Sequence, residues 1–291
     1  MSANDDEYRL SRLTSTAFAA SVAAAPVILL PLGSHEDHGP HLPMGDYGLA
    51  TLLAGRIAAR ATALGTPTFV APTLPFGVAD YFGATAGGLA LSAASFAGVL
   101  ADLLGGLLRH SLRNIVILNG HGGNVPVIHQ VTLGLRQSQG LVIPSFYLWK
   151  VARGLMESRL GAGQDARFGH GAEPLLSLTM ALLPDAVRLD ERSPPVQSRM
   201  LGLPVTGFGT VDFAGVPVDV PGEFDTVPRD ATQAALPLAS ASLGAAVAAD
   251  LVDVAARFVV HFAANAARAA GVSKSSSTLS VSSATSVTDS M

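Results

Sequence analysis

Compact apolar runs alternate along this chain with longer segments in which apolar residues recur at helical spacing. The compact runs predict four buried strands, at residues 26–30, 68–72, 114–118 and 141–149. The longer segments predict six helices, at residues 13–24, 48–64, 92–110, 125–138, 177–183 and 238–268. Because strands and helices alternate over most of the chain, we expect an α/β fold in one large domain, with a largely parallel sheet flanked by helices on both faces.

Composition divides the chain into three parts. Residues 1–24 are interpreted as a polar lead-in and a short helix, and residues 25–271 as the α/β domain. Within that domain, residues 195–230 are rich in Pro, Gly and β-branched residues and are expected to cover a site or contact a neighbour. Residues 272–291 are rich in Ser and Thr, so we expect this tail to be disordered.

The charge pattern excludes several classes of protein. An uncharged stretch at residues 13–34 is long enough to be tested as a membrane span, but Pro26 and Pro31 interrupt it. The acidic residues before it have the wrong sign for a signal peptide. A net charge of −4 gives no basic surface for nucleic acid or an anionic membrane. The absence of cysteine excludes thiolate catalysis and suits a reducing compartment, so we expect a cytoplasmic protein without nucleic-acid or membrane partners.

Side chains that can bind metal follow directly after the first predicted strand. The segment PLGSHEDHGPHLPMGDY, residues 31–47, contains Glu36, His38, His41 and Asp46. Open α/β sheets place their sites at the carboxyl edge, which is where this segment begins. Carboxylate and imidazole together suit zinc, manganese or iron(II). The alternative is a polar loop whose histidines only form hydrogen bonds.

Two further motifs carry candidate chemistry. LNGHGGN, residues 118–124, follows the third strand and sets His121 among glycines that allow close approach of a ligand. It lacks the Lys and the spacing of a P-loop, so metal ligation or an oxyanion pocket fits His121 better than phosphate binding. GHGAEP, residues 169–174, places His170 and Glu173 before an apolar helix. A structural alternative exists for Glu173, because a Glu in the first turn complements the helix dipole.

Together the motifs supply more ligands than one tetrahedral ion can use. They suit two metal ions that share a bridging carboxylate, with His170 left free for proton transfer. The five candidate ligands are Glu36, His38, Asp46, His121 and Glu173.

These motifs resemble those of the creatininase (creatinine amidohydrolase) superfamily. The resemblance rests on LPLGSHEDHGPHLPMGD, on LNGHGGN, and on HGAE before an apolar helix with Ser177, and weaker likeness extends over residues 27–265. It implies an α/β fold that hydrolyses C–N bonds of cyclic or linear amides at a dinuclear metal centre, often as a homohexamer. The expected partners are therefore a small-molecule amide and further copies of this chain.

The resemblance assigns roles to individual residues. Glu36 and His38 match the family's Glu-x-His ligand pair, and His121 matches the His of its NGHGGN motif. Glu173 matches the first Glu of an HAGExETS-like motif, as a ligand and catalytic residue, and His170 matches its His, as a proton shuttle.

Three positions depart from the family pattern. The family's bridging Asp would fall at Tyr47, and we assign its role to Asp46, one residue earlier. Leu175 replaces the second Glu of the HAGExETS-like motif, and Tyr81 and Phe82 stand where a His is usual. These differences argue against creatinine itself as the substrate.

The sequence therefore predicts a metal-dependent amidohydrolase acting on a lactam, formamide or similar amide. Two divalent ions per chain, zinc or manganese with iron as a further candidate, would activate a bridging hydroxide. Backbone N–H groups of residues 120–124 would stabilise the oxyanion, and His170 would protonate the leaving nitrogen. The residues expected to contact substrate are Tyr47, Gly122, Gly123, Asn124 and Trp149. The alternative for Trp149 is core packing. The alternatives for the whole protein are a peptidase-like member acting on a modified peptide, a deformylase, and a non-catalytic scaffold with this fold.

Overall fold

A computed structural model of the protein describes residues 6–78, 86–161, 168–191, 199–207, 209–221 and 239–271. The helices are α1 (Ser15–Val22), α2 (Tyr47–Ala63), α3 (Ala93–Arg109), α4 (Val125–Gln139), α5 (Leu148–Leu160), α6 (Leu175–Leu182) and α7 (Ala241–Gly271). The strands are β1 (Val27–Leu32), β2 (Thr68–Val70), β3 (Ile115–Asn119), β4 (Ser145–Tyr147), β5 (Arg199–Met200), β6 (Leu203–Gly207), β7 (Thr210–Phe213) and β8 (Val216–Asp219). The predicted tail at 272–291, Tyr81 and Phe82 lie outside the described residues.

The first four strands form one parallel sheet in the order β2-β1-β3-β4. From β1 the chain adds β2 on one side and then β3 on the other, so the direction of growth reverses between β1 and β3. In open α/β sheets, such a reversal opens a crevice at the carboxyl ends of the two strands, and ligands bind there. The prediction of a parallel α/β sheet is confirmed. Its topology indicates a binding site at the carboxyl ends of β1 and β3.

The core lies on both faces of this sheet because successive residues of β1 point in opposite directions. Val27 and Leu29 pack in a cluster with residues of α2, α5, α6 and α7. Ile28 and Leu30 pack in a second cluster with residues of α3 and α4. A strand covered on both faces reads as an unbroken apolar run, and this accounts for the pattern VILLPL at β1. Within the described ranges, no helix combines the length and the apolar character needed to cross a bilayer.

The fourth strand is shorter than predicted. The expected strand at 141–149 contains only the three residues Ser145–Tyr147, and α5 begins at Leu148. The apolar pair Leu148 and Trp149 prolongs the run that predicted a strand. Their burial continues at Ala152 and Met156, at helical spacing. Trp149 is therefore the second residue of a helix rather than the end of a strand.

The segment expected only as an excursion contains a four-stranded antiparallel sheet, in the order β5-β6-β7-β8. Two of its hairpins turn through Leu201–Gly202 and Ala214–Gly215, and all four of these residues have positive φ. Two consecutive residues with positive φ are typical of the type I′ turn that suits tight hairpins. The sequence signal was weak because Leu and Ala, unlike Asn or Asp, rarely occupy the first position of such a turn.

Candidate metal centre

The loop after β1, residues 33–46, carries three of the candidate ligands at the carboxyl edge of the sheet. The loop closes on itself because the backbone N–H of Gly45 donates to the carbonyl of Glu36, over 2.8 Å. Its two ends are joined by the N–H of Ser34, which donates to Oδ1 of Asp46 over 2.7 Å. Glu36 and Asp46 are 2% and 1% exposed, so the loop turns both carboxylates inward.

Glu36 is the centre of a group of four buried side chains. Its Oε1 lies 3.3 Å from Nε2 of His38 and 3.0 Å from Nδ1 of His121. The same Nδ1 of His121 lies 3.6 Å from Oδ2 of Asp46. Residues from the loops after β1 and β3 therefore meet in the crevice that the strand order defines.

His121 is oriented by hydrogen bonds to its backbone and its ring. Its N–H donates to Oδ1 of Asn119, and its carbonyl accepts from the side-chain amide of Asn119. Its ring Nε2 lies 2.6 Å from the carbonyl oxygen of Val78, which can only accept, so Nε2 donates. Nδ1 is then the nitrogen that faces the carboxylates. A backbone carbonyl holding the outer N–H is a common way of fixing a metal-binding histidine.

The two glycines after His121 are not equivalent. A side chain at Gly123 would collide with the Val78 carbonyl and would approach His121 Nε2 to 2.7 Å. At Gly122 an added Cβ would lie 3.1 Å from the hydroxyl oxygen of Tyr147. Gly123 was expected to allow close approach of a ligand, but the group next to its backbone is the carbonyl of Val78. Only a glycine leaves room for this carbonyl, which holds the His121 ring.

Two residues expected to bind substrate, Asn124 and Trp149, are buried. Asn124 is fully buried; its amide nitrogen donates to Gly33 and Asn119, and its oxygen accepts from Val78 N–H. These bonds join three loops and use both N–H donors of the amide. Trp149 is 9% exposed and packs in the core with α7, as its alternative interpretation held.

Tyr47, the remaining residue expected to contact substrate, begins α2 and is half-buried. Its ring lies against His35, with 5.8 Å between ring centroids. An added Cβ at Gly45 would meet the Tyr47 ring at 2.9 Å. Tyr47 therefore packs against the loop after β1, and a contact with substrate stays a prediction.

The segment that precedes α6 is tied to the loop after β1 by two histidines, one from each side. Nε2 of His41 donates to the carbonyl of Gly171 over 2.9 Å, and Nε2 of His170 donates to the carbonyl of Asp37. His41 is fully buried. The second bond brings the His170 ring to 4.8 Å from the His38 ring. His170 thus lies beside the group around Glu36.

Glu173 lies in a different setting, at the start of α6. Its Oε1 accepts from the hydroxyl of Ser177 over 2.5 Å, and its Oε2 accepts from the backbone N–H of Ser177 over 3.1 Å. The Ser177 hydroxyl in turn accepts from the N–H of Ser240, before α7. This arrangement matches the structural alternative for Glu173, a carboxylate that satisfies the first turn of a helix.

In this group, burial and hydrogen bonding shift the pKa values of the side chains in opposite directions. Burial alone would raise the pKa of Glu36, but hydrogen bonds with His121 and His38 outweigh it and hold that pKa well below its usual range. Burial would lower the pKa of His121, yet hydrogen bonds to Asp46 and Glu36 raise it to about 10. The pKa of His38 is also raised, against burial, by Glu36. Burial and the charge of His38 lower the pKa of His170 to about 3.

The donor set fits a divalent cation. Two groups of three residues bring their ligand atoms within 4.8 Å of one another: Glu36 with Asp46 and His121, and Glu36 with His38 and His170. Oε2 of Glu36 and Nδ1 of His38 are buried and have no hydrogen-bond partner among the described residues. Buried acceptors in that state are costly unless a proton or a cation satisfies them. Four of the five predicted ligands thus come together, with His170 beside them, whereas Glu173 belongs to neither group and its role as a ligand stays a prediction.

Fold and site together define an α/β protein with metal-binding residue groups at the switch point of a parallel sheet. The family model described as creatininase, creatinine amidohydrolase, matches residues 11–259. The chain therefore belongs to the creatininase family, a family of hydrolases.

Individual relatives agree with this membership. The chain is 30% identical over 204 residues to creatinine amidohydrolase from Pseudomonas putida, covering 62% of this chain and 74% of that one. It is 32% identical over 124 residues to the mycofactocin precursor peptide peptidase of Mycobacterium tuberculosis H37Rv, covering 40% of this chain. The match spans about half the length, 49%, of that peptidase.

Solved creatininases share the fold. A creatininase variant of the Zn–Zn type superposes with a TM-score of 0.68 at 26% identity, covering 87% of this chain and 97% of that one. A manganese creatininase gives the same TM-score and identity, covering 87% and 98%.

Proposed function

We propose that this protein is a metal-dependent amidohydrolase that cleaves the C–N bond of a cyclic or linear amide, such as a lactam or a formamide. The observation that carries the proposal is the pair of ligand groups that share Glu36 at the carboxyl edge of the sheet. Membership in a family that includes creatinine amidohydrolase supports the same class of reaction.

Two divalent ions per chain, zinc or manganese with iron as a further candidate, suit these residues. Glu36, Asp46 and His121 would hold one ion, and Glu36, rather than Asp46 as the resemblance implies, is common to both groups. Glu36 and His38 would hold the other, with His170 as the structure groups them or with Glu173 as the family resemblance implies. A divalent ion at such a site lowers the pKa of a water molecule towards neutrality and polarises a carbonyl.

His170 is suited to move a proton. Its Nε2 donates to Asp37, which leaves Nδ1 as the acceptor, and its lowered pKa keeps the ring neutral near pH 7. A neutral imidazole can take a proton from a water molecule and give it to the leaving nitrogen. The N–H groups of Gly120 and His121 are already bonded to Leu32 and Asn119, and Asn124 is fully buried, so the oxyanion role falls to the N–H groups of Gly122 and Gly123.

Metal content and turnover test the proposal together. Protein purified without chelators should contain about two ions per chain by elemental analysis, as two ligand groups require. It should also hydrolyse at least one amide of a panel that includes 2-pyrrolidinone, an N-formyl amine and creatinine. Glu157→Gln is the control for variants of the site, since Glu157 is a half-buried carboxylate on α5 that is paired with Arg153. Protein that stays metal-free after addition of zinc or manganese would favour the non-catalytic scaffold.

A His170→Ala variant separates the two roles open to this histidine. Loss of rate with two ions retained would support proton transfer. Loss of one ion would support ligation instead.

A second candidate function is cleavage of a modified peptide. It is favoured by the similarity to the mycofactocin precursor peptide peptidase over 124 residues. A panel of peptide amides with altered C-terminal residues would distinguish this activity from hydrolysis of small lactams.

Assembly into a homo-oligomer and a cytoplasmic location belong to the proposal as well. Light scattering would measure the first and cell fractionation the second.

A further inference from the structure

Tyr147 is a residue of the candidate site that sequence analysis passed over in favour of Trp149. It is the last residue of β4 and pairs in register with Asn119, the last residue of β3. Parallel strands end at the same edge of a sheet, so Tyr147 lies beside the turn that carries His121.

The hydroxyl of Tyr147 reaches over this turn. Its oxygen lies 3.1 Å from the position that a Cβ on Gly122 would occupy, so the missing side chain leaves room for it. Tyr147 is half-buried, and its hydroxyl forms no hydrogen bond with any residue in the described part of the chain. The hydroxyl oxygen is accessible rather than fully buried, so a substrate atom could reach it and accept its hydrogen bond.

The hydroxyl of Tyr147 is suited to donate a hydrogen bond. Burial raises its pKa above the ordinary value of 10. The phenol therefore keeps its proton throughout the neutral range and acts as a hydrogen-bond donor. A neutral donor beside a carboxylate-lined site suits an acceptor that becomes more negative during the reaction.

We propose that Tyr147 is a further catalytic residue, which donates its hydroxyl hydrogen bond to the carbonyl oxygen of the amide substrate. This assignment rests on the proposed amidohydrolase function. Tyr147 keeps its proton throughout, and the hydrogen bond strengthens as negative charge develops on the substrate oxygen. It would act together with the N–H groups of Gly122 and Gly123 across the same turn.

The test uses acetohydroxamate, a small carbonyl compound that binds to metal centres, and azide, an anion without a carbonyl group. Both are titrated into the metal-loaded wild type and into metal-loaded Tyr147→Phe. We expect acetohydroxamate to bind Tyr147→Phe about fivefold more weakly, as the loss of one hydrogen bond implies. Azide affinity and metal content should not change. On any amide that the wild type hydrolyses, kcat should fall about 100-fold with a smaller change in KM.

Two further variants make the result specific. Tyr8→Phe is the matched control, because Tyr8 packs against the core cluster that contains α2 and should leave both affinities unchanged. Gly122→Ala keeps the phenol but places a methyl group against its hydroxyl, so it should weaken acetohydroxamate binding as Tyr147→Phe does. It also covers the case in which Tyr147→Phe folds poorly.

The outcomes distinguish this proposal from the one on which it rests. Equal acetohydroxamate affinity in the wild type and Tyr147→Phe would overturn the assignment of Tyr147 alone. A parallel loss of azide affinity or of metal would overturn it too, since the residue would then shape the site rather than contact the carbonyl. A wild-type protein that takes up no metal and binds no acetohydroxamate would overturn the proposed function and this assignment with it.

Discussion

Glu36 and Glu173 are two carboxylates of nearly equal burial, 2% and 1% exposed, in opposite surroundings. Glu36 faces the imidazoles of two histidines, and one of its oxygens has no hydrogen-bond partner among the described residues. Both oxygens of Glu173 accept from neutral donors, the hydroxyl and the N–H of Ser177. Equal burial therefore accompanies two different environments, one lined by imidazoles and one by neutral hydrogen-bond donors.

The difference follows from where the two residues stand in the fold. Glu36 lies in the crevice between the diverging connections of β1 and β3, where neighbouring loops contribute charged side chains. Glu173 lies at the beginning of a helix, where unpaired N–H groups are available to any acceptor. The first setting gathers charged and imidazole groups, and the second supplies neutral donors.

The largest effect should come from Glu36→Gln. The substitution removes the carboxylate that both ligand groups share, so both ions should be lost and any hydrolysis should fall by a factor of about 1000 or more. Elemental analysis and turnover measure the two effects, with Glu157→Gln as the control. If Glu36→Gln kept two ions per chain, Glu36 could not be the shared ligand.

The two glycines should differ clearly in stability. Gly123→Ala forces the Val78 carbonyl and the His121 ring apart, so we expect a loss of about 1–3 kcal/mol in the free energy of unfolding and weaker metal binding. Gly122→Ala meets only the end of the Tyr147 side chain and should unfold near the wild-type midpoint with its metal retained. Chemical denaturation and metal titration of both variants check this. Equal losses in the two would mean that the contact with Val78 does not orient His121.

Glu173→Gln tests the comparison most directly. Gln keeps one acceptor for the Ser177 hydroxyl but turns an NH₂ group towards the Ser177 N–H, which should cost about 1–3 kcal/mol in stability. If Glu173 is structural, the variant should keep two ions per chain. Loss of one ion would show that Glu173 leaves Ser177 to bind metal, as the family resemblance implies.

The smallest expected effect is the release of protons when metal binds. In the metal-free protein the pKa of His121, raised to about 10, keeps its ring protonated at pH 7, and the pKa of His38 is raised as well. Metal must displace these protons, so binding should release about one to two protons per chain and should strengthen as pH rises. Calorimetry in two buffers with different ionisation enthalpies measures the release. Metal binding without proton release would contradict the protonated state of the group.

The raised pKa of His121 also predicts how pH affects the metal-free fold. The pKa of His121 is higher in the folded protein than the ordinary value of 6.5. The pairing of His121 with Asp46 and Glu36 therefore makes its full contribution to stability below pH 6.5. The contribution is lost as pH rises through about 10. Denaturation of metal-free protein at pH 6 and pH 9 should therefore give the lower free energy of unfolding at pH 9.

Hydrophobic periodicity was sufficient to predict the parallel sheet and most helices. It failed where two elements follow each other without a polar residue between them. The run from 141 to 149 contains the end of a loop, a three-residue strand and the start of α5, all of them apolar. For this reason Trp149 was assigned to the strand end, where the structure has Tyr147. The antiparallel sheet was missed because its turns use Leu–Gly and Ala–Gly rather than Asn–Gly.

The sequence by itself determined the fold class and the ligand chemistry, because buried strands and clustered Glu, His and Asp are local patterns that a short window reveals. Only the tertiary structure decided which of these side chains share a site. His170 joins Glu36 because a hydrogen bond to Asp37 draws two distant loops together, while Glu173 turns to Ser177, four residues along its own helix. Contacts across 133 residues depend on how helices pack on the sheet, and no local pattern of residues records that packing.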